Sequence, residues 1–140
     1  MGEVKMKTNG VIQRKLALLD KHLLNLRNEF KGVSLEDFRE SWVLQRMAER
    51  VLQVMIEICI DVAERIIALK GAGPAATGSE AIEKLAALGA IQSAQPYVEM
   101  VRFRNLVVHQ YEEIDPEILY SIVSKKLDDF RRFRDEIDKL

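Results

Sequence analysis

The chain has 140 residues, the usual size of one compact domain. Hydrophobic residues make up 48% of it and charged residues 31%, so it can bury a sizeable core, and the composition argues against intrinsic disorder. Its 21 basic and 22 acidic residues give a formal charge of −1, which argues against a broad basic face for duplex nucleic acid but leaves room for a small phosphate pocket.

Cysteine and histidine are too scarce for a metal site built from them. Cys59 is the one cysteine, which excludes a disulfide framework and a cysteine zinc site and suggests a small core residue. His22 and His109 lie far apart in the sequence, so we expect no metal and no cofactor. The N-terminus has no apolar signal segment and no stretch approaches a membrane span, so we expect a cytoplasmic protein without membrane contact.

The first half of the chain shows helical periodicity. Apolar residues recur every three or four positions from Ile12, which predicts a helix that ends near Gly32. Ser34 then reads as the N-cap of a long helix that continues to about Leu69. Its apolar side includes Trp42 and Leu69, and its length allows a kink or break near Ser41.

The second half begins with a glycine-rich breaker segment over residues 71–78 and continues as further helices. A short helix is predicted over 79–88, then a turn at Gly89, a helix from Pro96 to about Tyr111, and one last helix after Asp115. The sequence therefore predicts an all-α, antiparallel bundle of four main helices plus a short one, as a single domain over residues 1–140.

One cation interrupts an apolar stripe of the fourth helix in chain order, the one predicted from Pro96 to about Tyr111. Arg104 shares this stripe with Tyr97, Val101, Val108 and Tyr111, at steps of four and three residues. A guanidinium at such a position is costly unless it is paired or faces a cleft. The adjacent stripe carries three polar residues: Arg102, Asn105 and His109.

Two interpretations of Arg104 are open at this point. In the first, it forms a buried ion pair with Asp61 or Glu57 of the long helix. In the second, it lines a small pocket with His109, because an imidazole titrates near neutral pH and a guanidinium holds phosphate in a bidentate fork. That combination suits phosphodiester cleavage, in which protons move and charge builds on phosphorus.

The segment from Arg104 to Tyr111 reads Arg-x4-His-x-Tyr, with Asn105 directly after the arginine. This motif resembles the signature of the HEPN superfamily of small helical ribonucleases, and its extension to tyrosine is similar to the HepT-like toxin family. The resemblance covers most of the chain and includes the segment around Asp61, the proline-containing loop and Gly89.

The resemblance implies a metal-independent endoribonuclease toxin that acts as a homodimer with a shared cleft. The 2′-hydroxyl of the RNA attacks the adjacent phosphate, Arg104 stabilises the phosphorane, and His109 acts as general acid or base. Asn105 would hold the phosphate or the histidine. Asp61 would be either an active-site acid that positions Arg104 or only its counter-ion.

The resemblance also implies that Tyr111 accepts AMP from a nucleotidyltransferase antitoxin, which would use ATP and block the site; otherwise Tyr111 is an ordinary amphipathic aromatic at a helix end. Two further hypotheses are a non-catalytic helical module that binds the nucleotidyltransferase and its substrate, and a structural dimer with Arg104 in an interface ion pair. The presence of both Arg104 and His109 favours the toxin.

Overall fold

The computed structural model describes residues 10–109 and 113–140, and every regular element within them is an α-helix. This confirms the all-α prediction. In chain order these residues form α1 (Gly10–Phe30), α2 (Leu35–Arg39), α3 (Trp42–Leu69), α4 (Gly78–Ala87), α5 (Gln95–His109), α6 (Pro116–Lys125) and α7 (Leu127–Asp138).

The predicted break near Ser41 is confirmed, and two serines explain how it forms. Ser34 caps α2 in a capping box with Asp37. Ser41 caps α3, because its hydroxyl accepts a hydrogen bond from the Leu44 backbone N–H at 3.1 Å. The buried Gln45 side chain donates to two carbonyls at the end of α2, at 2.9 and 3.0 Å, and so joins the two helices.

The prediction that Trp42 and Leu69, the two ends of α3, belong to the apolar face of the long helix was wrong. Trp42 is 62% exposed, and Leu69 is exposed at the other end. Continuous burial starts only after the break, at Gln45 and Ala48, and stops at Ile67, so the first and last turns of α3 extend past the core. A periodic pattern marks a face of a helix but not how far along it the neighbouring helices reach.

The single last helix that the sequence predicted is two helices, with the break at Lys126. The apolar spacing continues through the break, but α6 packs mainly against α2 and α3, whereas α7 packs mainly against α1. Asp128 and Asp129 lie in the first turn of α7, where carboxylates favour the start of a helix. The chain therefore bends where its packing partner changes.

The site is positioned by α5, which packs against both α3 and α4. Gly89, with a φ of +80°, makes the turn that follows α4, and Pro96 lies in the first turn of α5 as predicted. Within the described ranges, no helix is long and apolar enough to cross a membrane.

Candidate active site on α5

The stripe of α5 that contains Arg104 is buried at its start and opens toward its end. Tyr97 and Val101 are 2% exposed and belong to the core. The Arg104 side chain is 23% exposed, so most of it lies inside the protein, as the pattern indicated. Val108, one turn later, is 47% exposed, so the apolar stripe is not buried along its whole length. The core covers only the first three turns of this stripe.

Arg104 enters a cleft of about 370 Å³ between α3 and the start of α4. Its Nη1 atom lies 3.9 Å from an oxygen of Glu57, at the outer limit of an ion pair. Its Nε atom is buried and has no hydrogen-bond partner among the described residues. Such an orphaned donor is expensive, and an oxygen ligand would satisfy it. The cleft is lined by Glu57, Ile60, Asp61, Glu64, Ala76, Thr77, Gly78 and Arg104.

Asp61 lines the same cleft but pairs with other cations. One of its oxygens lies 2.5 Å from Lys15 Nζ of α1, and the other lies 3.3 Å from Arg65 Nε, one turn along α3. Glu57 is thus the carboxylate within ion-pair distance of Arg104. Of the two ion pairs that the sequence offered for Arg104, the structure contains the one with Glu57.

The first residue of α4, Gly78, forms one wall around the guanidinium. A Cβ atom at this position would lie 2.9 Å from Ile60 Cδ1, 3.2 Å from Arg104 Nη2 and 3.3 Å from Val101 Cγ1. The lack of a side chain therefore lets α4 approach α3 and α5 closely. The sequence marked Gly78 only as part of a breaker segment. The available signal was a glycine, in place of a helix former, directly after the Thr77 cap.

The polar residues of the adjacent stripe lie at the surface. Arg102, Asn105 and His109 are all exposed, and His109 is the last residue of α5. Tyr111 lies outside the described residues. Cys59 is buried, as expected, and burial raises the pKa of its thiol far above its ordinary range, so it is a core residue rather than a nucleophile.

The arrangement combines a fixed cation with an exposed imidazole on one helix. Arg104 offers charge and oriented N–H donors from a mostly buried position, and His109 offers a proton donor and acceptor that a solvated substrate can reach. These are the two functions that acid–base cleavage of a phosphodiester requires.

Comparison with solved structures identifies the class of the fold. The chain superposes on the tri-AMPylated Shewanella oneidensis HEPN toxin, solved in complex with MNT antitoxin, with a TM-score of 0.88 and 27% identity. The superposition covers 95% of this chain and 100% of that one. The all-helical architecture is therefore that of a HEPN toxin.

The family follows from the sequence. A family model described as "Ribonuclease HepT-like" matches residues 12–137, and the chain belongs to this family. It is 28% identical to "tRNA nuclease HepT" of Aphanizomenon flos-aquae, over 86% of this chain and 82% of that protein. It is 29% identical to "mRNA nuclease HepT" of Shewanella oneidensis, over 92% of this chain and 97% of that protein.

Proposed function

We propose that this protein is a metal-independent endoribonuclease toxin that cleaves RNA with Arg104 and His109. The observation that carries the proposal is the mostly buried Arg104 guanidinium, with its unpartnered Nε, on the same helix as the exposed His109. The relatives named as a tRNA nuclease and an mRNA nuclease support RNA as the substrate class. One is named as a tRNA nuclease and the other as an mRNA nuclease, so we propose RNA in general as the substrate class.

In the proposed reaction the 2′-oxygen of the RNA forms a bond to the adjacent phosphorus, and the bond from phosphorus to the 5′-oxygen breaks. The 2′-hydroxyl loses its proton to a base, and the leaving oxygen gains one from an acid. His109 performs one of these two transfers. Arg104 offsets the charge that builds on the phosphorane oxygens, and Asn105 donates to the phosphate or orients the histidine. The products are a 2′,3′-cyclic phosphate and a 5′-hydroxyl.

A homodimer would complete the site. Leu106 and Val108 are 43% and 47% exposed, although they lie between Arg104 and His109 in the sequence. Apolar side chains beside a polar site are typical of an interface. A second copy that covers them would bring two sets of Arg102, Arg104 and His109 to one groove, which would let a chain of charge −1 concentrate positive potential where RNA binds.

Regulation by a nucleotidyltransferase antitoxin is the second part of the proposal. The Tyr111 oxygen would attack the α-phosphorus of ATP, pyrophosphate would leave, and the phenolic proton would pass to a base of the partner. Of the other two tyrosines, Tyr97 is buried and Tyr120 donates a hydrogen bond to the Val33 carbonyl at 2.6 Å, so neither offers a free hydroxyl.

Intact mass after incubation with the nucleotidyltransferase and ATP tests this modification. We expect mass increments of AMP on the native chain and on Tyr120→Phe, and none on Tyr111→Phe. Increments on Tyr111→Phe would contradict the assignment. Increments on no chain, with a stable complex between the two proteins, would favour the non-catalytic partner module.

The nuclease activity is tested by cleavage of total RNA in the presence of EDTA. We expect cleavage by the native protein and a loss of about 10²–10⁴-fold in Arg104→Ala and in His109→Ala, the range for removal of an electrostatic stabiliser or a general acid or base. Arg131→Ala, which removes an exposed arginine of α7, is the control and should retain activity. A folded native protein that cleaves no RNA at any concentration would refute the proposal.

A further inference from the structure

The position of Arg104 depends on one carboxylate among three. Glu57, Asp61 and Glu64 of α3 all line the cleft that Arg104 enters. Of these three, only Glu57 lies within ion-pair distance of the guanidinium, with 3.9 Å between its Oε2 and Nη1. A mostly buried cation is destabilised unless an opposite charge lies nearby. The carboxylate that Arg104 contacts therefore influences the position of its guanidinium.

Glu57 is itself held by its neighbour one turn earlier on α3. Gln53 Nε2 donates a hydrogen bond of 3.2 Å to Glu57 Oε2, the same oxygen that faces Arg104. The two side chains are four residues apart and therefore lie on one face of the helix. This contact favours one orientation of a carboxylate that is 43% exposed at the edge of the cleft.

Asp61 cannot take over this role in the observed arrangement. Its two oxygens are engaged by Lys15 at 2.5 Å and Arg65 at 3.3 Å. These contacts balance its charge and connect α1 to α3. Asp61 and Glu57 therefore add the same formal charge to the cleft while contacting different cations.

The start of α4 lies beside the guanidinium. Arg104 Nη2 lies 3.2 Å from the place where a Cβ atom of Gly78 would be, so the absence of that atom leaves room for the guanidinium. Nη1 faces Glu57, and Nε has no hydrogen-bond partner among the described residues.

We propose that Glu57, held by Gln53, is the positioning residue for Arg104 in the cleavage reaction, and that Asp61 is not. The inference rests on the proposed function. A guanidinium fixed before the substrate arrives stabilises the phosphorane without reorganisation, whereas a mobile one loses part of that effect. Glu57 does not touch the reacting atoms and acts only through Arg104.

A positioning role for Glu57 and a purely electrostatic role predict different kinetic effects. Removal of any negative charge from the cleft favours the approach of a phosphate, so charge alone predicts a lower KM for RNA and an unchanged kcat. Loss of positioning predicts a lower kcat, because the transition state loses more stabilisation by Arg104 than the bound substrate does. Glu57→Gln and Asp61→Asn remove the same charge from the same cleft, so each is the control for the other.

The experiment measures kcat and KM for RNA cleavage by Glu57→Gln, Asp61→Asn and Gln53→Ala. We expect kcat to fall about 10–100-fold in Glu57→Gln, the cost of misplacing a reacting group by about 1 Å. Gln53→Ala changes no charge and should lower kcat in the same direction by less. Asp61→Asn should lower KM and leave kcat unchanged. An equal fall of kcat in Asp61→Asn, or an unchanged kcat in Glu57→Gln, would overturn the proposal.

A readout that needs no activity separates this inference from the proposed function. In nitrogen NMR, assigned with the aid of Arg104→Lys, we expect distinct, slowly exchanging Nη signals of Arg104 in the native chain and in Asp61→Asn. In Glu57→Gln they should merge. Merged signals in the native chain would contradict the positioning role even if RNA is cleaved. Slow exchange with no cleavage would refute the proposed function and leave the positioning role intact.

Discussion

Arg104 is a cation held mostly out of water on a helix that otherwise buries apolar side chains. Burial of a guanidinium costs free energy that only contacts or a ligand return. Among the described residues, Arg104 has one carboxylate at 3.9 Å and no hydrogen-bond partner for Nε, so a ligand could satisfy this donor. Single substitutions at Arg104, or at the residues that line its cleft, should therefore have the largest effect on activity.

Gly78→Ala is such a substitution. The new methyl group would approach Ile60 Cδ1 to 2.9 Å and Arg104 Nη2 to 3.2 Å, and the guanidinium must shift to accommodate it. We expect kcat for RNA cleavage to fall by about tenfold or more. Thermal unfolding should change little, because the higher helix propensity of alanine offsets part of the strain.

The control for Gly78→Ala is Ser79→Ala, which places an alanine at the next position, outside the lining of the cleft, and should retain kcat. Native kcat in Gly78→Ala, with the unfolding midpoint preserved, would show that the wall at Nη2 does not influence the reaction.

At this scale the sequence identified the unusual arginine but not its surroundings. Arg104 could be found because it interrupts an apolar stripe, and the structure buries it as that pattern indicated. The choice between Glu57 and Asp61 could not be predicted. They lie one turn apart on the same face of α3, and only the alignment of α3 against α5 decides which of them meets Arg104.

At the scale of elements, the break between α2 and α3 depends on one buried amide. Gln45 is a buried polar residue that donates to the carbonyls of Phe38 and Arg39, and it thereby fixes the angle at which α3 leaves α2. Its sequence context gives little indication of this role, because a glutamine in a long amphipathic helix is ordinarily solvated.

Gln45→Leu should lower the free energy of unfolding by about 1–3 kcal/mol, because the Phe38 carbonyl loses a hydrogen bond in a buried place and the Arg39 carbonyl loses one in a partly buried place. Urea denaturation of the native and variant chains measures the difference. Ser124→Ala, an exposed position on α6, serves as the control and should stay within about 0.5 kcal/mol of the native value. A Gln45→Leu chain as stable as the native one would show that the amide does not secure the break.

The break between α6 and α7 shows what periodicity omits. The apolar positions from Leu119 to Ile137 fit one continuous helix, and the sequence was interpreted in that way. The bend at Lys126 lies where the main packing partners change from α2 and α3 to α1, which is a property of the assembled bundle. Ser41, by contrast, carries its own local capping signal, and the break that it makes could be anticipated.

For the whole molecule, the formal charge of −1 limits where RNA can bind. The proposed site confines the chemistry to one half of α5 and to the walls that α3 and α4 build around it. The chain belongs to the HepT-like family. In the proposed function, a short helical segment carries the activity and the remaining helices provide the core.

The central claim is that the chain cleaves RNA through the 2′-hydroxyl, with Arg104 and His109 as the catalytic pair. The most direct test follows an RNA oligonucleotide that the protein cleaves at one position, in the presence of EDTA, beside the same oligonucleotide with a 2′-O-methyl group at that position. We expect a 2′,3′-cyclic phosphate from the first and no cleavage of the second, and we expect His109→Ala to lose the cleavage of the first. Cleavage of the methylated RNA at the blocked position, or undiminished cleavage by His109→Ala, would contradict it.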